Sequence, residues 1–220
     1  MVAATQSTLA RMAALCTCMA LAGCSMMETR SRDDALRDLA WNYEQQGILL
    51  NVQADPMLNE TNGQPHNLLL LVAQMEDPNA FAAHVREQER LAELLLADRA
   101  PDGILDVQRF HVEPGTQRAM HIARVQSARY VGVATGYAQL DPARSARLYQ
   151  VGVTLDRAGW VFREYTASPE PLAIQLRLGP AGIQDSLSGR AEPSKPVQPA
   201  GGLVEIGSNY PATVITPSSP

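Results

Sequence analysis

The side chains that could carry out covalent or metal chemistry are few and scattered. The chain has four histidines, His66, His84, His111 and His121, and three cysteines, Cys16, Cys18 and Cys24. No histidine belongs to an HExxH pattern, and no cysteine is left free to join one at a zinc site. His111 and His121 flank Pro114-Gly115, where a hairpin would bring them close, yet two histidines without a third ligand make a weak metal signal. No GxSxG elbow, Walker loop or dinucleotide fingerprint occurs in the sequence. Glu87, Glu89 and Glu93 are interleaved with Arg86 and Arg90, the pattern of a solvated helix face. The residues predict no enzyme, no metal and no cofactor.

The one position with a clear covalent role is Cys24, in Leu21-Ala22-Gly23-Cys24. Arg11 is the only charge before it, and residues 12–21 form an apolar run of signal-peptide length, too short to span a bilayer. In bacterial lipoproteins such a run followed by small residues and cysteine is the lipobox. Cleavage between Gly23 and Cys24, a diacylglyceryl group on the thiol and acylation of the new amino terminus are expected. Each buried methylene contributes about 0.8 kcal/mol, and two or more chains hold where one is marginal. Ser25 follows where aspartate would favour retention in the inner membrane, so the expected destination is the periplasmic face of the outer membrane. Cys16 and Cys18 leave with the signal and Cys24 is consumed by the lipid. No disulfide is expected, although the periplasm would permit one.

Roughly 200 residues then remain, enough for one core. The net charge of −5 becomes one unit more negative when Arg11 is removed, which argues against nucleic acid as a partner. Residues 24–46 read as a lipidated tether followed by a helix over 31–46, with Leu36, Leu39, Ala40 and Tyr43 in one stripe and Gly47 as its stop. Residues 47–178 read as a β-sandwich with a helical insertion near 78–98. Ile48, Leu50 and Val52 alternate with Leu49, Asn51 and Gln53 as in a half-covered strand. Asn59, Asn62-Gly63 and Pro65 make residues 57–67 a loop, long for a hairpin connection. Residues 68–75 are almost continuously apolar, as in a strand covered on both faces.

Asp77-Pro78 opens a helix with a capping side chain and proline at its first position. Phe81, Val85, Leu91, Leu94 and Leu95 lie near helical spacing, and the helix is expected to end near Asp98. Further strands are expected at 108–112, 116–125, 130–137 and 147–155, with shorter ones at 159–165 and 172–178. Glu113-Pro114-Gly115 is expected to be a tight turn joining the first two of these. Arg118, His121 and Arg124 place 116–125 at a sheet edge or against solvent. Nine of the fifteen prolines fall between Pro169 and Pro220, so residues 179–220 are expected to form a flexible tail. Residues 203–206 could add a strand to a sheet edge or to a partner, and are read in preference as an isolated apolar cluster in the tail.

Several segments together carry a family resemblance: Ala54-Asp55-Pro56-Met57-Leu58-Asn59, Gly63-Gln64-Pro65-His66, the apolar residues 68–72 running into Gln74-Met75, Asp77-Pro78-Asn79-Ala80-Phe81, Val112-Glu113-Pro114-Gly115 and Ala128-Arg129-Tyr130-Val131-Gly132-Val133. With the lipobox they make the chain resemble the outer-membrane lipoprotein of type VI secretion systems, the TssJ (VasD or SciN) family. The resemblance implies a transthyretin-like β-sandwich with an added helical element, tethered under the outer membrane. It implies a non-enzymatic assembly component that binds the periplasmic C-terminal region of TssM and, through TssM, is linked to TssL. Copies would associate only within that complex. The family's partner-binding loop maps onto Met57, Leu58, Asn59, Glu60, Thr61, Asn62, Gly63, Gln64, Pro65, His66 and Asn67. Leu58 is its one large apolar candidate anchor. The alternative is a periplasm-facing lipoprotein that binds a small ligand or hydrolyses cell wall, which would require His66, His111 and His121 to meet beside carboxylates.

Overall fold

In a computed structural model that describes residues 28–160, 163–191, 203–205 and 213–215, the chain opens with strand β1 (Glu28–Arg30) and helix α1 (Arg32–Arg37). There follow β2 (Glu44–Ala54), β3 (Leu68–Met75), helices α2 (Pro78–Ala82) and α3 (Gln88–Leu96), and strands β4 (Ile104–Val112), β5 (Gln117–Arg124) and β6 (Tyr130–Thr135). Helix α4 (Pro142–Ser145) leads into β7 (Ala146–Gln150), β8 (Val153–Ala158), β9 (Arg163–Pro169), β10 (Leu172–Leu178) and β11 (Ile183–Arg190). Two three-residue strands, β12 (Leu203–Glu205) and β13 (Thr213–Ile215), come last. The leader and Cys24 lie outside the described residues. The fold is mainly β with few helices. Two units divide it, one of residues 1–39 with 154–168 and one of residues 40–153 with 169–220.

In the first unit β1, β9 and β8 form a sheet in that order. Ser31 starts α1: its hydroxyl accepts from the Asp34 N–H at 3.1 Å and donates to the Asp34 carboxylate at 2.8 Å. These bonds hold the Asp34 carboxyl below its ordinary 3.8. The Arg32 guanidinium lies 5.1 Å from the centre of the Tyr165 ring on β9. The expected helix over 31–46 is shorter than its stripe implied, ending at Arg37 with the Asp38 N–H on the Asp34 carbonyl. Leu36 and Tyr43 are 44% and 60% exposed, so the stripe has no core to meet. Gly47 is no helix stop. It sits inside β2, where a Cβ would lie 2.6 Å from the Arg124 Cβ, so close strand approach requires glycine there.

The second unit is layered. A four-stranded sheet, β11-β10-β2-β5, faces a six-stranded sheet, β13-β12-β7-β6-β3-β4. Ile48, Leu50 and Val52 of β2, Ile174 of β10 and Ile122 of β5 meet Leu68, Leu70 and Val72 of β3 and Val131 and Val133 of β6 in one core. This is a β-sandwich, and the alternation in β2 and β10 is what fills it. The opposite face of β3 offers Leu71, Ala73 and Met75 to Phe81, Leu91 and Leu94 of α2 and α3, so β3 is covered on both sides as its unbroken apolar run requires.

Further expectations change. The helix over 78–98 is two helices: Phe81, Val85, Leu91, Leu94 and Leu95 all bury in one cluster against β3, and the chain breaks between Ala82 and Gln88 to place them there. Glu87 is extended and starts α3 afresh. Residues 147–155 split at Val151-Gly152, β7 staying in the six-stranded sheet and β8 leaving it. Glu113-Pro114-Gly115 is a tight turn, with Gly115 at φ +71°, but it carries the chain from one sheet to the other and is not a hairpin. Finally, the sheet continues past residue 178: β11 pairs along β10 from Arg190 opposite Leu172 to Ile183 opposite Leu178. An edge strand needs few apolar residues, and Ile183 is the one large apolar side chain of β11 that is buried. Of the two readings of residues 203–206, the added strand is the one observed for 203–205, since β12 pairs with β7 and β13. Strand β5 is an edge strand, as its polar residues indicated, although Arg124 is only 4% exposed and lies 5.6 Å from the Trp41 ring.

Candidate functional site

The connection between β2 and β3 is a small built hairpin. The Asp55 carboxylate accepts from the Met57 N–H at 2.8 Å, and the Asp55 carbonyl from the Leu58 N–H at 2.9 Å, turning the chain back over the sandwich. Leu58 is fully buried in the core between the sheets. As an anchor it holds the loop to its own domain and is closed to a partner. Asn59, 8% exposed and at φ +50°, donates from its amide to the Asn67 carbonyl at 3.1 Å and accepts from the Ala138 N–H at 2.8 Å. Asparagine tolerates this left-handed backbone because its side chain can bond locally.

Beyond Asn59 the chain forms a two-residue turn. The Thr61 N–H donates to the Gln64 carbonyl at 2.9 Å and the Gln64 N–H to the Thr61 carbonyl at 3.1 Å. Asn62 and Gly63 both have positive φ, 55° and 76°, as a type I′ turn requires. The Gly63 N–H donates to the Glu60 carboxylate and the His66 N–H to the Leu58 carbonyl, closing the hairpin. Met57, Glu60, Asn62, Gly63, Gln64, Pro65, His66 and Asn67 are exposed and Thr61 is half-buried. The tip offers one carboxylate, amides, an imidazole and a proline, a polar surface.

Neighbouring turns brace the hairpin. The Gly115 N–H donates to the Asp55 carbonyl, the Asp55 N–H to the Leu178 carbonyl and the Glu60 N–H to the Pro180 carbonyl, at 3.1, 2.8 and 2.9 Å. Arg144 of α4 donates to the Ala181 carbonyl and lies 3.7 Å from Asp141. Tyr137 is buried, and burial pushes its phenol up. Sequence reading found a loop with its turn formers, not the hairpin, and missed Ala138, Pro180 and Arg144, which come from remote segments. The signal that could have helped is Asn59 itself, an asparagine in a turn-rich stretch whose side chain needs partners.

The histidines do not converge. His111 is on β4 and His121 on β5, in different sheets, and His66 is on the hairpin; all three are exposed. Among the described residues no group of three or more His, Cys, Asp or Glu could hold a metal ion. A shallow cleft of about 460 Å³ lies against the four-stranded sheet, lined by amides and charges that include Asn51, Gln53, Gln175, Arg177 and Asp185. No described helix is long and apolar enough to cross a membrane.

The described residues define a class of fold, a β-sandwich with helices packed on the outer face of one sheet. The chain belongs to the type VI secretion lipoprotein family (VasD, EvfM, TssJ, VC_A0113), whose profile matches residues 46–176. No curated protein sequence matches it. Among solved structures, the T6SS lipoprotein TssJ1 from Pseudomonas aeruginosa is similar at 18% identity, covering 69% of this chain and 98% of that one, with a TM-score of 0.45. Serratia marcescens Lip, a membrane-bound component of the type VI secretion system, is similar at 21% identity, 62% and 94% coverage and a TM-score of 0.41. A chain in the structure of the T6SS protein TssM C-terminal domain from EAEC follows at 16% identity, 63% and 97% coverage and a TM-score of 0.42.

Proposed function

We propose that this chain is a non-enzymatic assembly component of a type VI secretion system, fixed to the periplasmic face of the outer membrane by lipid on Cys24. The sandwich presents the hairpin of residues 57–67 to the periplasmic C-terminal region of TssM, and through TssM the chain is coupled to TssL in the inner membrane. The observation that carries this reading is the hairpin in a member of this family: its root is locked by Leu58 and Asn59 while its tip stays exposed. A tip held this way loses little conformational entropy on binding. Being polar, it contributes through hydrogen bonds and shape more than through apolar burial.

The test is the affinity of a soluble Cys24→Ser chain lacking residues 1–23 for the TssM C-terminal region of the same genome. A second chain carries Gln64→Ala and His66→Ala, which leave Leu58, Asn59 and the Glu60 bond to the Asn62-Gly63 turn in place. A tenfold or greater loss of affinity, about 1.4 kcal/mol, supports both the role and the loop. Unchanged binding keeps the role and moves the interface elsewhere, and no binding by either folded chain refutes it.

A further inference from the structure

Trp160 is 95% exposed, the most exposed of the described large hydrophobic side chains, and Arg157 and Arg163 on either side of it are exposed too. Strand β8 ends at Ala158 and β9 begins at Arg163, and the two are hydrogen-bonded neighbours. A connection this short joins only antiparallel strands, so Trp160 stands at the end of a hairpin. Gly159 takes φ +85° to make the turn. The sequence continues through Val161-Phe162, which lie outside the described residues. The indole, exposed between two arginines, is an amphipathic ring open to an occupant of matching chemistry.

The register of β1 says what that occupant is. β1 runs parallel to β9 with Glu28 opposite Arg163, so the start of β1 lies at the tip end of the hairpin. Cys24 precedes Glu28 by four residues, a span of at most about 14 Å even when fully extended. The position of the acyl chains is therefore tied to the end of the sheet that carries Trp160. Tryptophan favours the membrane–water interface, where its ring is apolar and its N–H stays wet, and arginine reaches phosphate from the same depth. Asp156 and Glu164 flank the two arginines one residue further from the tip.

We propose that Trp160 and the two arginines near it are a second membrane contact: with Cys24 lipidated, the Trp160 indole seats among the phospholipid headgroups and Arg157 and Arg163 meet their phosphates. The contact fixes the orientation of the sheet on the bilayer, which flexible acyl chains alone leave free. This inference rests on the lipid-anchor reading above.

The test uses the full chain extracted from bacterial membranes, its intact mass recorded, and reconstituted into vesicles of phosphatidylethanolamine and phosphatidylglycerol brominated high on the acyl chains. Tryptophan emission is compared with that of Trp160→Phe, which retains Trp41 and alters a side chain that is almost wholly exposed. Quenching and a blue shift that disappear in Trp160→Phe, and that weaken when Arg157 and Arg163 are both changed to glutamine, support the contact. A lipidated chain whose fractional quenching is the same with and without Trp160 overturns it and leaves the anchor standing. A mass without lipid removes the anchor and the tip contact together. A Trp160 that bromine does not quench, but whose emission shifts to the blue when a TssM fragment is added, overturns the contact in favour of a protein site.

Discussion

The side chain of Asn59 and the backbone of Ala138 are joined by a 2.8 Å hydrogen bond between residues 79 apart in sequence. Through it the β2–β3 hairpin is pinned to the connection that follows β6. Replacing Asn59 with alanine removes this bond and the one to Asn67 and places a residue without a local acceptor at φ +50°. The expected cost is about 2–3 kcal/mol, read as a lower urea midpoint at unchanged slope. Asn59→Gly, which suits the backbone but lacks the amide, should recover only part of it. If the hairpin binds a partner, its affinity falls alongside stability for Asn59→Ala, whereas tip substitutions lower affinity alone.

Gln74 makes a comparable link with the backbone at the end of β5. Its amide donates to the Ala123 carbonyl at 2.8 Å and accepts from the Val125 N–H at 2.9 Å. A side chain of β3 thus does for β5 what another strand's backbone would do. Gln74→Leu fills the space but strands two backbone groups, with an expected loss of about 2–4 kcal/mol in chemical denaturation. Gln74→Glu should be worse at neutral pH, since Asp106 lies at 3.4 Å from the present amide, and should improve on acidification.

Phe81 of α2 lies against Gly132 of β6. A Cβ at Gly132 would come within 2.7 Å of the Phe81 ring. Gly132→Ala is therefore expected to cost about 1–3 kcal/mol through overpacking. Pairing it with Phe81→Leu should return part of the loss, and calorimetry of the double-mutant cycle measures that coupling.

His84 gives the fold a pH dependence of known sign. Its pKa is held below the ordinary 6.5, first by partial burial and then by the Arg90 charge, with Glu93 opposing. The unfolded chain then binds more protons than the folded one between the two values, so stability declines as pH falls through and below 6.5 and is retained above it. Asp34 works in a separate window: its carboxyl, held below 3.8, contributes above that value and is lost only in stronger acid. A melting-temperature series from pH 8 to pH 5 should slope downward, and His84→Gln should flatten it.

How far the fold could be read from the residues depended on whether neighbours in sequence were also neighbours in space. Strand β10 was legible to the residue because Leu172, Ile174, Leu176 and Leu178 alternate against one core. β3 was legible because both its faces are apolar. The hairpin was legible in its turn chemistry, since Asn62-Gly63 specifies its own geometry. The break between α2 and α3 was hidden because it follows from the sheet beneath, and β11 because an edge strand buries so little. The burial of Leu58 was hidden for the opposite reason: a leucine in a polar loop looks like an outward anchor until the core beneath it is known. Gln74 and Asn59 join remote segments, and no local pattern announces such bonds.

Strand β2 is central to its sheet, yet its parallel neighbour is β10, with Ile48 opposite Leu172 about 120 residues later. The four-stranded sheet cannot close until nearly the whole domain is available. Such long-range pairing is slow to nucleate. Until β10 is made, β2 has a partner on one edge only, β5, while β3, β4, β6 and β7 can already pair with one another. The topology that builds the sandwich thereby sets a late folding time, and refolding kinetics in vitro should be correspondingly slow.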